Sequence, residues 1–164
     1  MRIEEQVVSQ LMEKGWHISF AESCTGGLAA ASLVGVADAS KVLDVSFVTY
    51  ANEAKMKYLG VKPQTIDTFG VVSEEVAHQM AEGVAKEAGS EVGVGITGVA
   101  GPGGGTPAKP VGMVCFGFYI KGLVYTDTVQ FGEIGRNAVR EQSVVYVYKR
   151  LLEFMSAQRG CNEG

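Results

Sequence analysis

Cysteine is scarce in this chain, and the cysteines present are badly spaced for a metal or a disulfide framework. Cys24, Cys115 and Cys161 are odd in number and scattered, with no CxxC and no Cys/His pair at ligand spacing, so reduced thiols and no metal are expected. Positive charge is also short: 14 Lys and Arg against 18 Asp and Glu leave a net charge of −4. Without a basic stripe, nucleic acid is not an expected partner. No apolar run reaches the roughly 20 residues of a membrane span. The opening MRIEEQVVSQ lacks a basic-then-apolar leader pattern, so no membrane contact and a cytoplasmic location are expected. Histidine is nearly absent. His17 sits beside Trp16 ahead of a β-rich run and His78 lies within a helical pattern, neither well placed as a general base. Any proton transfer must fall to other groups.

What is present suits one globular domain over residues 1–164. A hydrophobic share of 46% with 20% charged residues in 164 positions can bury a sizeable core. The 22 glycines gather at strand ends and in one loop and form no repeat. Apolar residues at Ile3, Val7, Val8, Leu11 and Met12 predict a helix to Lys14, closed by Gly15. A strand is expected over Trp16–Ala21, then a sharp turn near Ser23 into the helical TGGLAAASL. The same strand-to-helix change recurs at VLDVSFVTY, Val42–Tyr50, followed by NEAKMKYLG with Asn52 as cap and Gly60 as stop. Ser73 and two glutamates open a long amphipathic helix to Ala88. EVGVGIT, VGMVCFGFYI and LVYTDTVQF read as strands, the last two joined by a Lys121-Gly122 hairpin. A final helix is expected from about Arg136 to Met155, with a frayed tail from about 156. This order predicts a three-layer α/β/α sandwich with a mixed β-sheet.

Ligands of such sheets collect where strands end and helices begin. Three polar segments fall at predicted junctions: Glu22–Gly27, Thr49–Lys55 and Thr97–Pro110. In the first, Ser23 at a sharp turn reads either as a helix N-cap or as a nucleophile flanked by the amides of Thr25, Gly26 and Gly27, which could stabilise an oxyanion. In the second, Lys55 reads either as a solvated helix lysine or as a buried base of lowered pKa. Tyr50 is either a packed aromatic or a group that orients that lysine's proton. The third, TGVAGPGGGTPAKPVG, lacks the GxxxxGK[ST] pattern and does not continue into a helix as a dinucleotide fingerprint would. Its amides could still cradle a phosphate. Arg136 and Arg140, four apart, share a helix face that could add positive charge to the cleft.

AESCTGG, FVTYANEAK, GVVSEE, GITGVAGPGGG and KPVGMV, in this order and spacing, resemble the CinA C-terminal domain, the nicotinamide-nucleotide amidase family. The resemblance covers about Glu4 to Leu152. It implies hydrolysis of the carboxamide of nicotinamide mononucleotide to nicotinate mononucleotide and ammonia in pyridine nucleotide salvage, without metal or cofactor, by a homo-oligomer. By the same resemblance Ser23 is the nucleophile, with Tyr50 and Lys55 as its catalytic partners. Thr25, Gly26, Thr97, Gly98, Gly101, Gly104, Gly105 and Arg136 line the substrate. Pro107 and Ala108 stand where the family often has polar or acidic residues, so the outer loop is expected to differ in shape or substrate tolerance. A stand-alone amidase is expected. The competing expectations are a non-catalytic pyridine-nucleotide-binding or assembly module, disfavoured by the presence of both Ser23 and Lys55, and a nucleotide-dependent transferase, disfavoured by the lack of an acidic residue within the glycine loop.

Overall fold

Large apolar side chains alternate with small residues along the middle strands, and this alternation sets which helix packs on which face. Val92, Val94 and Ile96 alternate with Gly93 and Gly95, and Val114, Phe116, Phe118 and Ile120 alternate with Cys115 and Gly117. The computed structural model describes the backbone of residues 1–162 and the side chains of residues 1–156. In it the chain runs α1 (Ile3–Lys14), β1 (Ile18–Glu22), α2 (Leu28–Val34), a 3-10 turn at Ala39–Lys41, β2 (Leu43–Val48), α3 (Asn52–Leu59), α4 (Pro63–Phe69), α5 (Glu74–Ala88), β3 (Val92–Gly98), β4 (Met113–Ile120), β5 (Leu123–Gln130) and α6 (Arg136–Asn162).

The five strands form one sheet in the order β2-β1-β3-β4-β5. β1 pairs in parallel with both β2 and β3, whereas β3, β4 and β5 are successively antiparallel, so the sheet is mixed. The large side chains face α1, α2 and α6, where Val7, Leu11, Leu33, Tyr148 and Leu151 join Phe20, Phe116 and Phe118 in the main core. Burying each such side chain contributes about 1.5–3 kcal/mol. The small residues face α5, which lies close on the sheet. A Cβ at Gly95 would sit 2.5 Å, and one at Gly117 2.2 Å, from the Ala77 carbonyl oxygen. The expected three-layer sandwich is therefore present, with α3 and α4 beside α5 on the second face.

Ser73 caps α5 as expected, accepting the Val76 amide at 3.2 Å. The β4–β5 turn also follows expectation: Lys121 and Gly122 have φ of 48° and 94°, the left-handed pair a two-residue hairpin requires. Several boundaries moved. β1 starts at Ile18 and not at Trp16, and β2 spans Leu43–Val48 and not Val42–Tyr50. Ala51 is the N-cap of α3 and Asn52 its first helical residue, because an extended residue before the helix can cap through its backbone alone. α4, begun by Pro63 at its first turn, was not anticipated. The helical backbone of α6 continues to Asn162, past the expected stop at Met155. Ser, Ala, Gln and Arg there are compatible with helix, and one glycine is not a sufficient break. The rest of the expected frayed tail, residues 163–164, and the Cys161 side chain lie outside the described residues. Among the described residues, no helix is long and apolar enough to cross a membrane.

β1 is flanked by parallel strands reached in opposite directions, so the carboxyl ends of β1, β2 and β3 come together at Glu22, Val48 and Gly98. This is the position where open α/β sheets hold ligands.

Candidate active site

The end of β1 turns sharply because two glycines permit it. Gly26 and Gly27 have φ of 59° and 101°, conformations open to glycine without strain. The turn is closed by the Gly26 amide on the Ser23 carbonyl at 3.0 Å, and Ser23 is tied to β3 through its own amide on the Ile96 carbonyl at 3.2 Å. One of the three amides expected to be available to an oxyanion, that of Gly26, is thus engaged within the turn. Ser23 is not the cap of α2. Glu22, fully buried, takes that part: its two carboxylate oxygens accept the Ala29 and Ala30 amides at 2.9 and 3.0 Å. A carboxylate there also meets the positive end of the helix dipole, and the Ser23 hydroxyl is released from capping.

Lys55 is the decisive neighbour. It lies on α3, is only 1% exposed, and brings Nζ to 3.0 Å from Ser23 Oγ. The same nitrogen donates to the Thr49 carbonyl at 2.6 Å and the Tyr50 carbonyl at 3.1 Å. A neutral amine has two N–H groups and one lone pair. With the two carbonyls taking the hydrogens, the lone pair is left for the serine hydroxyl. Burial lowers the Lys55 pKa to about 8, since desolvation disfavours the ammonium. Cys24, next in sequence, is the opposite case: burial raises its thiol to about 11, so it stays protonated and poorly nucleophilic at neutral pH.

Tyr50 reaches the site differently from the expectation. Its main-chain carbonyl contacts Lys55, while its phenol, on a side of the residue 62% exposed overall, accepts a hydrogen bond from Arg136 at 3.0 Å. The tyrosine hydroxyl and the lysine amine therefore have separate partners. Arg136 also donates to the Gly101 carbonyl at 2.8 Å, linking the start of α6 to the glycine loop. A cavity of about 270 Å³ lies between these parts, lined among others by Cys24, Tyr50, Gly98, Gly101, Gly104 and Arg136. Gly105 faces a neighbouring concavity with Pro107 and Glu133. Thr97 is buried and gives its hydroxyl hydrogen to the Val71 carbonyl at 3.0 Å. Gly26 is exposed at the turn, and Thr25 is fully buried with its hydroxyl oxygen unpartnered, as is that of Thr49.

A larger concavity, about 580 Å³, lies elsewhere, by α5 and the outer strands, near Glu74, His78 and Lys109. Its central acid is already satisfied: Thr126 and Thr128 each donate to Glu74 at 2.7 Å. The contact between Ser23 and a buried lysine, and not cavity size, marks the candidate site. Sequence reasoning missed Glu22 as a partner of the α2 amides and Arg140 as a clamp on the Ser23 turn. Arg140 donates to the carbonyls of Cys24 and Thr25 at 3.0 and 3.2 Å. The only sequence signals were an acid directly before the turn and the spacing of the two arginines. Lys109 also went unnoticed; it bonds the carbonyls of Phe69 and Val72 and so straps the glycine loop to the end of α4.

Comparison with known proteins gives the family and the fold. The profile of the CinA C-terminal domain matches residues 1–155. A CinA-like protein of Kosmotoga olearia is 50% identical over 144 residues, which cover 88% of this chain and 35% of that protein. The chain thus spans about a third of the length of the first curated relatives it matches. Nicotinamide-nucleotide amidohydrolase PncC of Enterobacter agglomerans is 47% identical over 142 residues, covering 86% of both chains. Among solved structures, the competence/damage inducible protein CihA of Agrobacterium tumefaciens superposes with a TM-score of 0.89 at 39% identity, covering 92% of each chain.

Proposed function

The chain belongs to the CinA C-terminal domain family, and from that premise we propose that it hydrolyses the carboxamide of nicotinamide mononucleotide to nicotinate mononucleotide and ammonia. The observation that carries the reading is the 3.0 Å contact between Ser23 Oγ and a buried lysine nitrogen whose pKa falls to about 8. The likeness, over 86% of both chains, to a protein named nicotinamide-nucleotide amidohydrolase supports the substrate.

In this mechanism neutral Lys55 takes the Ser23 hydroxyl proton as Oγ attacks the carboxamide carbon. The resulting lysine ammonium returns the proton to the amide nitrogen, the C–N bond breaks, ammonia leaves, and an ester to Ser23 remains. Water then attacks the ester with Lys55 again accepting the proton, which passes back to Oγ as the carboxylate is released. The two carbonyls on Nζ orient the amine and steady its charged form. Tyr50 serves the site through its carbonyl at Lys55 and through a phenol that steers Arg136. Arg136 has further N–H groups to offer the 5′-phosphate, and Thr25, Gly26, Thr97 and the Gly98, Gly101, Gly104 and Gly105 backbone would shape the remaining substrate surface. A homo-oligomer is part of the proposal, and sedimentation at assay concentration checks it.

The test is ammonia release from nicotinamide mononucleotide and from its riboside. Charge-assisted hydrogen bonds contribute about 1.5–3 kcal/mol each, so loss of the phosphate lowers kcat/KM by at least about 10²-fold. Arg136→Ala should weaken the nucleotide reaction and leave the riboside reaction nearly unchanged. No ammonia from either substrate overturns the amidase reading; equal rates on both overturn only the phosphate contact.

A further inference from the structure

We propose that Arg140 is a positioning residue for the reaction: its guanidinium holds the peptide planes that follow Ser23 and thereby aims the serine hydroxyl at Lys55. This rests on the amidase reading above and adds a residue to it. Three contacts define the clamp. Nε donates to the Cys24 carbonyl at 3.0 Å, Nη2 donates to the Thr25 carbonyl at 3.2 Å, and Nη1 donates to Asn137 Oδ1 at 3.0 Å. The last bond ties the guanidinium to its own helix, so the fork is presented at a fixed angle from α6.

The consequence follows from peptide geometry. Each peptide group is planar and trans, so fixing its carbonyl fixes the direction of the whole plane. The Gly26 amide fixes the carbonyl of Ser23. Arg140 holds the Cys24 carbonyl and shares the Thr25 carbonyl with the Leu28 amide, 3.0 Å from it, so each of the three planes after the nucleophile has at least one partner. On the other side the Ser23 amide is held by Ile96, and Glu22 stitches the strand end to the start of α2. Without the fork, the Cys24 carbonyl loses this partner while the Thr25 carbonyl keeps the Leu28 amide, so the plane between Cys24 and Thr25 is the one released, close to two left-handed glycines that offer little resistance to rotation. A planar guanidinium reaches two adjacent carbonyls from one side chain. A lysine can bond two carbonyls, as Lys55 does, but from one atom, so it lacks the spaced, coplanar N–H groups that set the angle of the fork.

Arg140→Met and Arg140→Lys test this with ammonia release and pH profiles. Misplacement of a reacting atom by about 1 Å can cost 10²-fold. The methionine variant should lose on the order of 10- to 100-fold in kcat with KM held within about threefold, and the lysine variant should fall between it and the parent. The pH midpoint should not move, because the burial that lowers the Lys55 pKa and the Thr49 and Tyr50 carbonyls on its nitrogen are unchanged. Added guanidinium ion at millimolar concentration should raise the methionine variant several-fold and leave Ser23→Ala inactive. Parental kcat in Arg140→Lys would show that charge alone suffices, and a loss confined to KM or a moved pH midpoint would place Arg140 in another role. Each of these overturns the proposal. If the parent releases no ammonia, the amidase reading fails, and the clamp is then judged by the rate at which phenylmethylsulfonyl fluoride modifies Ser23, read by intact mass. Parent faster than lysine variant, and lysine variant faster than methionine variant, is the expected order. Equal rates, or an unreactive Ser23 in the parent, overturn it.

Discussion

The Ser23 turn and the glycine loop are both rich in glycine, and they are built in opposite ways. The turn is tied to β3, α2 and α6 within five residues: the Ser23 amide meets Ile96, the carboxylate of Glu22 meets two amides of α2, and Arg140 meets two carbonyls. The loop is held at its ends, by Arg136 at Gly101 and by Lys109 across to Phe69 and Val72, while Pro102 to Ala108 are exposed. At Gly103 a Cβ would meet nothing within 4 Å. The contrast teaches where order is required. On the proposed reading a nucleophile must be aimed to a fraction of an ångström, whereas a loop beside a flexible substituent of the substrate can tolerate change along its outer edge.

The largest expected effects come from dismantling the tied region at its reactive pair. Ser23→Ala should lower kcat by at least about 10³-fold with the fold retained, since groups that act as one unit fail together. Lys55→Arg should be as damaging as Lys55→Met, because arginine keeps the charge but does not release its proton at working pH. Steady-state ammonia release checks both, and a largely active Lys55→Arg would remove the base role.

Next in size is the pH response. The folded-state pKa of Lys55 is lowered from 10.5 to about 8 by burial, so the neutral base accumulates as pH rises through about 8. The expected kcat/KM falls about tenfold per unit below that midpoint. The linkage to stability has the same sign. Between about 8 and 10.5 the unfolded chain binds the proton that the folded chain has lost, so this group's contribution to stability rises with pH across that window. Thermal melts of the parent against Lys55→Met between pH 7 and roughly 10.5 should show the parent gaining relative to the variant. A gap that is constant with pH would contradict the assignment.

The smallest effects sharpen the comparison directly, by making one substitution in each region. Gly27→Ala places a side chain at φ of 101°, beside Val48, and should cost about 1–2 kcal/mol of stability along with activity. Gly103→Ala should change stability by no more than about 0.5 kcal/mol and kcat/KM by no more than about twofold. Equal penalties at the two glycines would show that the loop is as constrained as the turn.

Much of this protein can be read along the chain. The β-rich runs EVGVGIT and VGMVCFGFYI, the helix signals at Gly15, Ser73 and Gly60, and the Lys121-Gly122 hairpin are local patterns, and their order predicted the layers and strands. The serine after β1 and the lysine after β2 were likewise visible as polar residues at strand ends. What stayed hidden involved partners far apart in sequence. Tyr50 was expected to meet Lys55 through its phenol, but the phenol turns to Arg136, 86 positions away, and it is the carbonyl that meets the amine. Whether Lys55 is a solvated cation or a buried base cannot be decided from NEAKMKYL, because burial is set by β1, β2 and the turn that close over it. The sequence by itself determined the elements, their hydrophobic faces and the chemical types available at the strand ends, since these depend on neighbours a few residues apart. Tertiary structure alone decided that Ser23 is freed from capping by Glu22, that its turn is clamped by an arginine 116 residues beyond Cys24, and that the lysine beside it is buried, which disfavours its charged form.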